Sequence, residues 1–191
     1  MRNKPQHYFK NKEKWRTWLL ENHDKSDGVQ LIFYKVSSKK ESMRWEEAVQ
    51  EALCFGWIDS TVRKLDEERR TQYFCPRKPK SVWSALNKKY VKALIAGNLM
   101  HTSGLTIIEI AKKNGSWSQL DDVENLVIPK GLQLAFDQNP KAFNNYNSFS
   151  PSYQKSYLYW LNQAKREETK QKRIEEIIRF CEQNIKSRGN R

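Results

Sequence analysis

The hydrophobic period of this chain changes at Gly56, and the change limits the architectures open to it. Ahead of the glycine, Trp45, Ala48, Val49, Ala52 and Leu53 recur at helical spacing, with Glu46, Glu47, Gln50 and Glu51 on the opposite face. The first-turn glutamates suit the positive end of a helix dipole, and Gly56 can take the left-handed conformation that stops the helix. Past the glycine the period becomes two: Ile58 and Val62 fall on one side, and Trp57, Asp59, Thr61 and Arg63 on the other. The charged run "LDEERR" then leads to a return strand "TQYFC", closed by Pro76 and Pro79, which predicts a hairpin. A helix handed directly to a hairpin places sheet and helix in one layered half.

The remaining segments extend this frame. Trp15, Trp18 and Leu19 predict a helix from about Lys12 to Asn22, after a loose start, and "VQLIFYKV" predicts the first strand. Ser84 can cap a helix with Leu86, Tyr90, Val91, Leu94 and Ile95 facing inward, and Thr102 or Ser103 can cap another ending at Asn114-Gly115. Pro129 and Pro140 cut the middle into short helical pieces. Ser150-Pro151 opens a helix carrying Tyr157, Leu158, Trp160 and Leu161, and Ile174, Ile177, Ile178, Cys181 and Ile185 define the last. The expected fold class is α+β: a small, mainly antiparallel sheet with helices in the N-terminal half (1–97), and an all-helical C-terminal half (98–191), together forming one compact unit.

Function is constrained first by charge. The 191 residues carry 35 Lys and Arg against 22 Asp and Glu, a formal net charge of +13, with the excess at the two ends. Such a balance favours an anionic partner: nucleic acid, acidic lipid or an acidic metabolite. No apolar stretch near the N-terminus suits a signal peptide and no run approaches the length of a membrane span, so a cytoplasmic location is expected. Cys54, Cys75 and Cys181 are odd in number and widely spaced, as reduced thiols would be. Neither a phosphate-binding glycine loop nor zinc-ligand spacing nor a nucleophile elbow occurs, so no metal, cofactor or covalent catalysis is expected.

Three stretches, "FYKVSSKKESMRWEEAVQEALCFGWIDS", "RRTQYFCPRKPKSVWSALN" and "YLYWLNQAKREETKQKRIEE", together resemble the YdeI or OmpD-associated family, also labelled bacteriocin-protection. The resemblance runs from about Val29 to Cys181, and its strongest pieces are Trp45 to Ala48, Cys54 to Asp59, Pro76 to Trp83 and Ala164 to Ile174. It implies a small bacterial α+β protein with no established enzymatic activity and no settled catalytic residues. It also implies an association with stress, survival of cationic peptides and the cell envelope.

Two groups of residues are candidate sites. Arg77, Lys78 and Lys80 lie on a proline-stiffened loop just ahead of the helix that Ser84 caps, with Trp83 available for stacking; cations beside free helix amides suit a phosphate or carboxylate. The bland alternative is a solvated basic linker. On the hairpin, Trp57, Asp59 and Arg63 are expected on one strand face, with Asp59 and Arg63 about 13 Å apart along the strand. They are candidates for a pocket, against the plain reading of a wet sheet face. Lys165, Arg166, Lys170, Lys172 and Arg173 near the last helix read as a solvated face, balanced by Glu167 and Glu168, with a nucleic-acid groove as the alternative. Cys54 has no histidine in its own helix or hairpin and reads as structural.

These features favour a non-enzymatic, basic protein that binds an anionic partner through the loop at Arg77 and the adjacent hairpin face. One alternative is an enzyme acting on a small anionic metabolite, with Asp59 as polar centre, Trp57 and Trp83 as walls, and Arg63 or Arg77 holding the substrate. Another is a protein interaction module displaying Tyr153, Tyr157 and Trp160, three residues that also repeat at core spacing.

Overall fold

The computed structural model describes residues 4–188. Its backbone contacts divide the chain into two units, 1–118 and 119–191. The fold is α+β, with the sheet in the N-terminal half and helices alone in the C-terminal half.

In the first unit, β1 (Gln6–Tyr8), α1 (Lys12–Asn22), β2 (Val29–Tyr34), α2 (Trp45–Cys54), β3 (Trp57–Lys64) and β4 (Arg69–Pro76) precede α3 (Ala85–Ala96) and α4 (Thr102–Lys113). The sheet order is β1-β2-β4-β3. β1 runs parallel to β2, and the other pairs are antiparallel. The segment expected to be loose therefore contains a strand, joined to β2 through α1, because parallel neighbours need a crossover connection. The expected division at residues 97 and 98 falls between α3 and α4, both of which lie in the first unit.

One sheet face carries Val29, Leu31, Phe33, Phe74 and Trp57, all buried, and α1 and α2 supply the rest of this core. Burying each such side chain contributes roughly 1.5–3 kcal/mol. Trp15 of α1 meets Phe74 and Trp57 edge-on at ring separations of 5.7 and 6.4 Å. Its indole donates to the Ala48 carbonyl at 3.1 Å, fastening α1 to α2. Gly56 ends α2 with φ of +76°. Gly104 lets α4 approach so closely that a Cβ would lie 2.2 Å from the Cys54 carbonyl oxygen. Along α3 only Val91 and Leu94 are buried; Leu86 and Ile95, expected inward, are exposed and Tyr90 is half-buried.

The second unit consists of α5 (Asp121–Glu124), α6 (Lys130–Asp137), α7 (Pro140–Ser148), α8 (Pro151–Asn162) and α9 (Glu167–Glu182). Leu132, Phe136, Tyr146, Tyr157, Leu161, Ile174, Ile177 and Cys181 form its core. Pro140 and Pro151 stand at the first positions of α7 and α8, where a missing amide hydrogen costs nothing. Among the described residues no helix is long and apolar enough to cross a membrane.

Candidate functional site

The pairing of β3 with β4 decides which side chains share a face. Asp59 pairs with Phe74 but Val62 pairs with Gln72, so two residues of β3, Ser60 and Thr61, stand opposite Tyr73 alone. This β-bulge reverses the alternation. Val62 and Lys64 join Asp59 on the face of Gln72 and Arg70, while Arg63, paired with Thr71, turns to the other side. The expected trio is therefore not assembled. Trp57 is also no pocket wall, because it is buried against Trp15 and Trp18 and donates its indole hydrogen to the His23 carbonyl.

Asp59 does line a groove. The helices leave the Phe33, Arg70 and Lys64 end of the inner sheet face open, and the first turn of α2 walls it, enclosing a volume of about 1060 Å³. Phe33, Met43 and Trp45 give it apolar sides, and Lys35, Arg44, Lys64, Arg69 and Arg70 outnumber its carboxylates Glu46, Asp59 and Asp66. Two of those cations are already engaged, Arg69 by Asp66 at 2.6 Å and Lys64 by Glu67. Arg70 lies over the Phe33 ring at 5.6 Å.

The floor is polar. Asp59 Oδ2 accepts from the Trp45 indole at 3.0 Å and from the Gln72 amide. Gln72 is only 3% exposed, and its Oε1 is buried without a partner. A buried acceptor left unpaired costs about 1–3 kcal/mol, so this glutamine is expensive to the folded chain unless something else uses it. The sequence reading passed over both Gln72 and Trp45. Their signal was a polar residue two places from inward-facing Phe74, and a tryptophan opening a helix one turn from a strand.

The loop at Arg77 differs from expectation in a way that packing explains. Trp83 is fully buried, and the Arg77 guanidinium, 5% exposed, stacks on its ring at 3.8 Å and donates to the Val82 carbonyl at 2.9 Å. The cation lies against the face of an indole that also packs beside Trp117, at 4.9 Å between ring centres. Burial pushes the Arg77 pKa down to about 10, with Asp59 and Cys75 acting in the opposite direction. Ser84 caps α3, its hydroxyl accepting from the Asn87 amide at 3.3 Å. Of the five residues, only Lys78 and Lys80 reach solvent freely. Arg77 and Trp83 are packed inward, and the loop offers no clustered anion site.

Cys54 is fully buried beside Arg16, which also binds Glu51 and the Leu99 carbonyl, each at 2.7 Å. Burial pushes the thiol pKa up, and the hydrogen bond from Arg16 pulls it down by less. Tyr157 is buried and Tyr153 exposed, so the α8 aromatics do not present one face to solvent. In α9, Lys170 and Lys172 pair with Glu167 and Glu168, and Arg173 lies over the Trp160 ring at 5.0 Å. Among the described residues no group of three or more His, Cys, Asp or Glu side chains is placed to hold a metal ion.

Comparison with known families fits this two-part construction. Residues 7–107, which hold the groove and all of the sheet but Gln6, match the family described as Domain of unknown function (DUF8412), and the chain belongs to that family. Residues 125–184 match the family described as Bacteriocin-protection, YdeI or OmpD-Associated. The Ala164 to Ile174 piece of the resemblance lies inside the second match; the pieces between Trp45 and Trp83 lie inside the first. No curated protein and no solved structure matches the chain.

Proposed function

We propose that this chain is a cytoplasmic binding protein for a small anionic organic ligand, held in the groove over the open end of the sheet. The observation that carries the reading is the pair Asp59 and Gln72 in the lining of a groove with an excess of cations: a carboxylate with one oxygen unused, held beside a buried amide whose own acceptor is unmet. An apolar pocket with a few convergent polar groups is what small-ligand recognition requires. The role is binding, in a setting such as the bacteriocin protection that the description of the family matched by 125–184 names.

The test is a thermal-shift screen of the full chain against a panel of small carboxylates and phosphate esters, repeated with Gln72→Leu. Leucine removes the costly amide and keeps the volume, so the variant should stay folded. The expected result is a saturable rise in midpoint with at least one panel member, lost in Gln72→Leu. A panel without any rise, or a rise that the variant keeps, contradicts the reading.

A further inference from the structure

The first unit holds a second cleft, which shares no lining residue with the groove over the sheet. α3 and α4 leave about 360 Å³ between them. Val91, Ile95, Ile108 and Trp117 give this cleft its apolar surface, and Lys88, Lys92 and Lys112 complete the lining. The floor is preformed, since Val91 and Ile108 are each 2% exposed and belong to the core of the unit. So is the wall. Trp117 leans on the buried Trp83, the ring on which Arg77 stacks, and its amide donates to the Ala111 carbonyl at 3.0 Å. The turn ahead of it is tied to the loop before α3: the Asn114 side chain donates to the Pro79 carbonyl at 2.8 Å and accepts from the Ser116 amide at 2.9 Å. The basic loop at Arg77 thus buttresses one wall of this cleft.

Charge limits what the cleft can take. Its lining has no carboxylate, whereas Glu46, Asp59 and Asp66 line the groove over the sheet. The Lys88 and Lys112 ammonium groups lie over the Trp117 ring, 5.3 and 6.0 Å from its centre, which places both at that end. Lys92 follows Lys88 by one turn of α3. Glu109 balances Lys112, and Lys92 enters no ion pair among the described residues. Lysine stems commonly cover apolar surface while their heads reach water, but here they leave Ile95 45% exposed beside the floor. An apolar trough with cations at one end matches an apolar body carrying one anionic head.

Shape narrows that body. The Trp117 ring is already engaged by two ammonium groups, so Val91, Ile95 and Ile108 are the surface left for the ligand, and they favour an aliphatic chain over a stacked ring. From Lys88 to Ile95, α3 rises about 10 Å, the reach of roughly eight extended carbons. Ammonium groups are point charges without the fork of a guanidinium, and a carboxylate needs no fork to be held by them. We infer that the cleft between α3 and α4 binds a straight-chain aliphatic carboxylate of about eight carbons. The chain lies on Val91, Ile95 and Ile108, and the carboxylate sits at Lys88 and Lys112.

Isothermal titration of the full chain with octanoate, hexanoate, octanol and octylamine, each as a dissolved monomer, tests this. Octanoate should bind at least about tenfold more tightly than octanol, with a margin that shrinks as salt rises. It should exceed hexanoate by about tenfold, because two further CH2 groups leave water. Octylamine, a cation, should not bind. Ile95→Glu changes an exposed position, should keep the thermal midpoint, and should abolish octanoate binding. The pair Lys88→Ala and Lys112→Ala should lower octanoate to the affinity of octanol. The Trp117 indole N–H resonance, assigned by its loss in Trp117→Phe, should move saturably with octanoate. Equal affinity for octanol or hexanoate, or octanoate binding that survives Ile95→Glu, overturns the inference. So does capture by acidic lipid vesicles without binding of free octanoate, which gives the cleft to a membrane surface. Self-association that depends on Ile95, again without octanoate binding, gives it to a second copy and overturns the inference too. Because the two clefts share no residue, octanoate is scored apart from the small-anion panel, and its failure leaves the groove over the sheet untouched.

Discussion

The two units solve the problem of buried polarity differently. In the second, the one polar side chain buried among the described residues is Gln154, and its amide is used, donating to the Tyr146 carbonyl at 3.0 Å. The first unit buries Thr71, Gln72, Arg77 and Ser116, and leaves Gln30 Oε1, Gln72 Oε1, Arg77 Nε and Trp83 Nε1 without partners. The second has such orphans at Tyr146 OH and Arg188 Nε; of the six residues, Gln72 lines the groove over the sheet and the other five are not in its lining. Unmet polar groups beside an open cleft mark where a chain gives up stability for recognition; a closed apolar core marks where it does not.

The largest effect expected from this difference lies in the second unit. Ile177→Ala removes a fully buried branched side chain from the α9 face and should cost about 2–5 kcal/mol in urea denaturation, against a near-neutral Gln72→Leu in the first. If Gln72→Leu costs as much as Ile177→Ala, the glutamine is part of the packing and the contrast collapses.

A smaller effect should appear with pH. Burial pushes Cys181 and Tyr157 up to about 12 and moves Tyr146 upward as well. These groups stay neutral in the folded chain while the unfolded chain ionises them, so the stability they contribute is complete below about pH 9 and is lost as pH rises through about 12. Arg77 has the opposite sign, since its folded form gives up its proton first, above about pH 10. The urea midpoint should fall between about pH 8 and pH 11, and Cys181→Ala should flatten that fall. An unchanged slope in the variant would show that the thiol is not protonated by burial.

How far the sequence carried this account depends on the scale of the signal. α1, α2 and α8 were legible because caps, prolines and a 3.6-residue period act within a few residues. β1 was not, because three residues carry too little alternation, and it becomes a strand only through pairing with β2. The misplaced Arg63 has a similar cause. Alternation along β3 alone predicts a shared face with Asp59, and the bulge that breaks it exists only relative to β4. At the loop before α3, a count of charges suggested an exposed anion site, while stacking on the Trp83 ring and a hydrogen bond to the Val82 carbonyl hold Arg77 inward. Gln72 was readable only once the register with Asp59 fixed which face it joined.

The most direct test of the groove is the indole N–H resonance of Trp45, assigned by its loss in Trp45→Phe and followed as the full chain is titrated with the panel anion that gives the largest thermal shift. Trp45 donates to Asp59 at the groove floor, whereas Trp160 packs on α8 between Arg173 and Arg188. The account predicts that the Trp45 resonance moves saturably with the binding curve while Trp160 stays in place; movement of Trp160 with Trp45 unchanged would contradict it.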